Sequence, residues 1–393
     1  MTWYKTVDQY KEELIEIRRY LHMHPELSFH ETETAEYIAN YLTALDIPVT
    51  RNVGGNGLYG VIEGKLPGPT VLLRADFDAL PIQDLKDVPY KSKVPGVMHA
   101  CGHDGHTAML LITAKIIKAH QSELKGTVIL CHQHAEEVLP GGAKSMIEAG
   151  VLDGVDYVFG THTSSNLESN AVSFVTGPSY GFADAFTIDI HGLGGHGAAP
   201  HTTHDAVIAA SYLITQLQTV VSRSIDPIKT GVLTIGEFKS GNAFNVIAET
   251  AHLSGTLRTY DKSIKDVMIE RINEIIEGIE KSFNVNITLN YTDGYPALIN
   301  SEKETLWLKN LSEAISEIDE VLEGTPSLGG EDFAYFLQER PGCYFNTGVR
   351  NETIQADFPH HHPKFDMDEN GLLNGVRVFV NLAEHMDTLE KEY

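Results

Sequence analysis

Apolar residues return at helical intervals near the start of the chain, at Val7, Leu14, Ile17 and Leu21, and Pro25 closes that segment. A second helix is predicted from about Glu31 to Leu45, with Ala35, Ile38, Leu42 and Leu45 on its inner face. The pattern then changes to short apolar runs bounded by glycine or proline: GLYGVIEG, PTVLLRAD, GTVILCHQH and VDYVFGTH. These read as strands buried on both faces. Helical spacing returns from Thr107 to His120 and, more briefly, from Ala143 to Ala149. Strands separated by helices predict an α/β sheet with helices on both faces.

Near Gly177 to Gly181 the character changes. The segment FADAFTIDIHG alternates apolar and polar positions, the period of a half-exposed antiparallel strand. A helix from about Asp205 to Ser222 follows, then strands VLTIGEF and AHLSGTLRTYD, a helix from about Ser263 to Phe283 and strand VNITLNYTD. That order predicts a small α+β sandwich with two helices on one face. Afterwards the first pattern resumes, with a helix from Glu304 to Ile315, strand CYFNTG and a final helix from about Glu369 to Leu389. The expected class is α/β: a mixed, mostly parallel sheet flanked by helices, built from residues 1–180 and 294–393, with an α+β sandwich of residues 181–293 inserted in it. Two domains suit 393 residues, more than one hydrophobic core usually organises.

Charge narrows the partners. With 54 acidic against 29 basic side chains, the formal charge of -25 opposes phosphate backbones and anionic lipid surfaces, so neither nucleic acid nor membrane is an expected partner. No apolar run approaches the length that crosses a bilayer, and the N-terminal segment has the spacing of an amphipathic helix rather than a signal peptide's apolar block. The mature chain is expected to start there. Cys101, Cys131 and Cys343 are too few for a disulfide framework, which suits a reducing compartment, the cytoplasm. Cys131 and Cys343 lie in apolar stretches and read as small buried hydrophobes.

Cys101 stands apart. The run HACGHDGH, His99 to His106, sets three imidazoles and a thiol in eight residues, and Gly102 and Gly105 allow the tight turning that would aim Cys101 and His103 at one point. A divalent cation would stabilise the thiolate directly. Other ligand types end predicted strands, where open α/β sheets gather their functional residues: Asp76 and Asp78, Glu136 and Glu137, and His162. His360, His361 and His362 precede Pro363. Singly, each has an ordinary explanation as a solvated acidic pair or a loop histidine. Together they suit a metal-assisted hydrolase, which needs one carboxylate on the cation and another free to take a proton, a division that Glu136 and Glu137 fit.

The segments RADFDALP, HACGHDGH, HAEE with PGGAKSMIEAG, GLGGHGAAPH, SGNAFNVI, GTLRTYD, GGEDFAYF and HHHPKFD run in that order through nearly the whole chain. In this the sequence resembles the co-catalytic metallopeptidase family that includes aminoacylase, carboxypeptidase G and the diaminopimelate deacylases. Within it, the amidohydrolases of N-acyl amino acids are most similar. The resemblance implies two divalent ions per subunit, with Cys101 as the shared ligand and His103, Glu137, His162 and His361 completing the site. The family's ligand histidine stands two positions before proline, which selects His361 over His360 and His362. Glu136 matches the general base and Asp78 the acid that orients a ligand, leaving His106 a supporting role.

The resemblance also makes the insertion a dimerisation and lid domain, and implies a homodimer. His196 matches a histidine that stabilises the oxyanion in the partner subunit's active site. Asn245 and Arg258 match substrate-contacting positions, and a guanidinium fork suits a carboxylate; on sequence alone, an ion pair at a strand edge explains Arg258 equally well. Gly330, with Gly329, allows close backbone approach to a ligand; a tight turn into a helix EDFAYF explains the pair equally well. The sequence departs from the commoner pattern at TSSNLES after His162 and at HHHP, which touches the pocket wall and leaves the acyl-group preference open.

The reading is a metal-dependent amidohydrolase cleaving N-acyl amino acids. A dipeptidase or carboxypeptidase would use the same ligands, and a non-catalytic binding protein would retain only the cleft. The mixed thiolate, imidazole and carboxylate set accepts manganese, zinc, cobalt or nickel; the resemblance favours manganese, with zinc next.

Overall fold

The computed structural model describes residues 2–389, and they divide into two compact units. The first opens with a 3-10 turn, Trp3–Tyr10, that leads into α1 (Lys11–Met23), α2 (Thr32–Ala44), β1 (Val49–Val53), β2 (Gly57–Glu63), β3 (Leu66–Asp76) and α3 (His103–Ala119). It continues with β4 (Lys125–Gln133), α4 (Ala143–Glu148), β5 (Tyr157–Glu168) and β6 (Ala171–Phe174). Through β7 (Gly177–Tyr180) the chain enters the second unit: β8 (Phe182–His191), β9 (Gly195–His196), α5 (Ala206–Ser224), β10 (Gly231–Ser240), β11 (Val246–Ile247), β12 (Thr250–Thr259), α6 (Lys262–Phe283) and β13 (Asn286–Thr292). It returns through β14 (Leu298–Asn300) to α7 (Glu302–Glu313), β15 (Glu320–Glu323), α8 (Ala334–Glu339), β16 (Gly342–Arg350) and α9 (Glu369–His385).

The first unit is an eight-stranded mixed sheet ordered β1-β2-β4-β3-β5-β16-β6-β15. Its centre, β4-β3-β5-β16, is parallel. Val71 and Leu73 of β3 and Val128 and Leu130 of β4 join Leu110 and Ile117 of α3 and Phe379 of α9 in one core. Arg74, the residue after Leu73, turns to the other face, where its guanidinium faces the rings of Phe333 and Tyr344. Helices thus flank both faces, which is why the central strands read as continuous apolar runs.

The second unit is an antiparallel sheet ordered β10-β12-β8-β13. Phe186, Ile188 and Ile190 alternate inward from β8 to meet Leu213 and Leu217 of α5 and Ile272 and Ile276 of α6. Asp205 caps α5 by accepting from the Val207 and Ile208 amides, and Asp261 caps α6 by accepting from Ser263.

Several expectations are corrected. The short strands β1, β6 and β15 do not announce themselves: β6 and β15 are four residues each, and β1 and β15 hold only two apolar residues apiece. Residues 327–331, expected with the larger domain, group with the second unit, because Tyr180 bridges Ser327 and the Gly181 amide donates to the Gly329 carbonyl. Residues 294–298 also group there. The final helix ends at His385 and tightens into a 3-10 turn, Met386–Thr388.

A buried ion network fixes α3, whose first residue is His103. Arg18 of α1 is fully buried and donates to Asp104 at 3.0 Å, Asp366 at 2.8 Å and Glu369 at 3.2 Å, tying α1, α3 and α9 together. His22 adds a 2.7 Å contact to Asp104. Burial alone would raise the Asp104 pKa, but the Arg18 charge and His22 outweigh it and hold the carboxyl far below its ordinary value. Stability from a carboxylate depressed in this way is complete above its unfolded pKa of about 3.9 and is lost as pH falls toward the folded value. Arg18→Met, which takes the guanidinium away from three buried carboxylates, should therefore lose about 3–5 kcal/mol at pH 7. Denaturant titration of both proteins checks this, and the gap should narrow below about pH 4 as the carboxyls protonate.

Candidate metal centre

The carboxyl ends of the parallel strands deliver the candidate ligands. Asp76 closes β3 and Asp78 lies two residues on, while Glu136 and Glu137 follow the end of β4. Cys101 and His103 straddle Gly102, which caps α3 in the left-handed region at φ 95°; a side chain there would strike Thr163 Oγ1. Gly105 does a different job from the turning expected of it: it lies inside α3, packed against Met367. His162 was expected at a strand end but sits within β5, whose pairing with β16 continues past His162 opposite Asn346. His361 is held at φ 65° in its loop, its amide donating to the Ala100 carbonyl at 2.8 Å.

These side chains converge. Cys101, His103 and His162 bring ligand atoms within 4.8 Å of one another, as do Cys101, Glu137 and His361, and His103, Glu136 and Glu137. Cys101 Sγ lies 3.5 Å from His162 Nε2, and His361 Nε2 lies 3.4 Å from Glu137 Oε1. His103 Nε2 is 4.0 Å from both Glu136 Oε2 and Glu137 Oε1. Consecutive residues of a regular strand would face opposite ways. Here Ala135, at φ 51°, breaks the alternation just before the pair.

Donor chemistry fits a cation. His103 Nδ1–H donates to Asp78 Oδ1 at 3.0 Å, which turns Nε2 into the cluster, and Nε2 is buried without a hydrogen-bond partner. Asp78 is itself fixed by the Ser28 hydroxyl at 2.7 Å and the Glu137 amide at 2.9 Å. His162 Nδ1–H donates to the Thr163 carbonyl at 2.6 Å and leaves Nε2 facing Cys101. Burial disfavours charge on His103, but Asp76 and Asp78 outweigh it and lift its pKa to about 10. The field that holds a proton on Nε2 would hold a metal ion there. Burial, with Glu137 and Glu136 nearby, pushes the Cys101 thiol well above its ordinary pKa; thiolate formation therefore calls for a cation.

Three other histidines of these motifs, His106, His360 and His362, are engaged elsewhere. His106 Nδ1–H donates to Asp76 at 2.5 Å and Nε2 accepts from the Thr163 amide at 2.9 Å, so both nitrogens are committed. His360 Nε2 accepts from the Ser165 amide and His362 Nδ1 from the Lys364 amide. Arg74, Gln133 and Asp332 form a buried network behind Asp76, to which Arg74 also donates. Ser28 and Thr163 were missed by sequence reasoning, since a lone hydroxyl residue carries no spacing signal.

The remaining candidates lie in the second unit as two separate pairs. His196 of β9 pairs with Val246 of β11, and the Gly197 amide donates to the Asn245 carbonyl at 2.9 Å. The Ala198 amide donates to His196 Nδ1 at 3.0 Å, leaving Nε2–H of this exposed ring as an outward donor. Arg258, next to last in β12, is opposite Ala183, against whose methyl Gly330 packs. Thr250, which opens β12 just after β11, and Arg258 are eight residues apart, roughly 26 Å at about 3.3 Å per residue. The turn into EDFAYF is also revised: the helix is α8, starting at Ala334.

Residues 72–385 match peptidase family M20/M25/M40, and the chain belongs to that family, as a hydrolase. It is 48% identical over 379 residues to YhaA of Bacillus subtilis (strain 168), named as an amidohydrolase, covering 96% of each chain. It is 42% identical to an N-acyl-L-amino acid amidohydrolase of Geobacillus stearothermophilus, covering 76% of this chain and 81% of that one. The Bacillus subtilis YxeP structure, described as a dinuclear metal binding peptidase from the M20 family, superposes with a TM-score of 0.84 at 32% identity, covering 97% of this chain and 99% of that one. Among the described residues no helix is long and apolar enough to cross a membrane.

Asp78→Asn removes the charge that orients His103 and should weaken metal binding by about 10- to 100-fold. Competition against a chromogenic chelator measures it; unchanged affinity would remove Asp78 from the site.

Proposed function

We propose that the chain is a metal-dependent amidohydrolase that cleaves N-acyl amino acids. The observation that carries this reading is the placement of two consecutive carboxylates, Glu136 and Glu137, each 4.0 Å from His103 Nε2. One can serve as ligand while its neighbour stays free for proton transfer. Cys101, His103, Glu137, His162 and His361 would hold two divalent cations, with manganese the first candidate, zinc next and cobalt or nickel also suited to the donors. Bound there, the pair supplies a Lewis acid for the carbonyl and lowers the pKa of water toward neutrality.

The chain's own residues would do the rest. Glu136 takes a proton from the attacking water as its oxygen joins the carbonyl carbon, then gives that proton to the departing amine as the C–N bond breaks. The products are a carboxylic acid and an amino acid. Asp78 keeps His103 in the tautomer that presents Nε2. Arg258 suits the substrate carboxylate, with Gly330 letting the backbone approach.

His196 is the proposed donor to the oxyanion through Nε2–H. The wide separation of the His196 and Asn245 pair from Arg258 and Gly330 supports a homodimer joined through the inserted unit, in which the first pair serves the partner's site. One small substrate does not span both ends of β12. All three cysteines are free and buried, in keeping with a cytoplasmic setting.

Glu136→Gln is the test. The variant should keep its full metal content by elemental analysis and lose about 10²- to 10⁴-fold in kcat on acetyl and benzoyl amino acids. Turnover close to wild type with metal retained would remove Glu136 as the base. A wild-type preference for dipeptides over the acyl amino acids would point to a peptidase instead.

A further inference from the structure

Glu31 stands where a helix-capping side chain is expected, immediately before α2, yet it does not cap. Glu26 does so in its place, its carboxylate accepting from the Glu33 amide at 3.2 Å and the Thr34 amide at 2.7 Å. Glu31 turns away and is fully buried. Its Oε1 accepts from the Ala135 amide at 2.8 Å and its Oε2 from Asn56 Nδ2 at 2.9 Å. A buried carboxylate that accepts from the amide of a residue so far along the chain marks a place where that segment is held.

The residue it holds is the one that brings both glutamates to the site. Ala135 lies in the left-handed region, which an L side chain adopts only under constraint. Its carbonyl is held too, accepting from the Gly142 amide at 3.1 Å. Two residues on, Asp78 grips the Glu137 amide at 2.9 Å. Two carboxylates therefore take the amides on either side of Glu136. Nearby, the Phe29 ring meets the His134 ring edge-on at 6.0 Å, so the 28–31 loop braces this segment along its length.

We infer that Glu31 is a positioning residue of the hydrolytic site: it pins Ala135 in the left-handed conformation, and so aims Glu136 at the reacting water and Glu137 at the metal. The inference rests on the proposed hydrolytic reading for its rate effects, and its spectroscopic effect stands apart from turnover. Gln at this position retains a carbonyl oxygen for the Ala135 amide, with Asn56 free to turn its own amide round; Ala retains nothing.

The experiment compares wild type, Glu31→Ala, Glu31→Gln and the double variant Glu31→Ala/Ala135→Gly, each loaded with cobalt(II). Visible spectra and steady-state kinetics on an N-acetyl amino acid are recorded together. Glu31→Ala should perturb the cobalt d–d bands through Glu137 and lower kcat by about 10- to 100-fold with little change in KM. Glu31→Gln should recover most of both. Glycine at 135 adopts the left-handed conformation freely, so the double variant should regain part of the loss. A folded Glu31→Ala with wild-type bands and kcat would overturn the inference. If that variant does not fold, Glu31→Gln decides: as severe a loss there, with bands altered, would overturn it, because the carbonyl acceptor would then not suffice. Absence of turnover in the wild type with normal cobalt bands would count against the proposed function alone, and the spectra would still decide the role of Glu31.

Discussion

Four carboxylates, Asp76, Asp78, Glu136 and Glu137, lie around one buried imidazole, His103, and the first unit is organised to make that concentration of negative charge tolerable. Arg74 and His106 serve Asp76; Ser28, His103 and the Glu137 amide serve Asp78. Both glutamates turn a carboxylate oxygen toward His103. A pocket so built favours whatever carries positive charge: a proton on His103 at first, and a divalent cation when one is present. Metal binding and the shape of the site are thus two consequences of one electrostatic arrangement.

The scaffold supplies what electrostatics alone would not. Parallel strands bring their carboxyl ends to one edge, so residues from distant parts of the sequence arrive together without any local signal. The Arg18 network then locks the start of α3, because Asp104 is anchored to α1 and α9 while its neighbour His103 faces the cluster. Rigid placement matters here because donors fixed in advance need not reorganise when a ligand arrives.

Much of this was legible in the sequence, and the reasons are physical. The apolar periods of β3, β4, β8 and α6 follow directly from which faces are buried, and Cys101 with His103 stood out because a thiol and imidazoles so close together have few structural uses. Other features had no such signature. His162 looked like a strand terminus because TSSNLES is polar, yet β16 pairs with that stretch and extends the strand. Alanine at 135 gives no hint of a positive φ, which glycine or asparagine would have suggested. Glu31 looked like part of a helix start, since its true partner is over a hundred residues away. Cooperation across long sequence distances is what a single sequence hides best.

The most direct measurement is anomalous diffraction from crystals of the manganese- or zinc-loaded protein, recorded on either side of the metal's absorption edge. The expected result is two peaks per chain, enclosed by Cys101, His103, Glu137, His162 and His361, with Glu136 beside them and unbound. Peaks elsewhere, or a metal that leaves Cys101 and His361 uncoordinated, would contradict it.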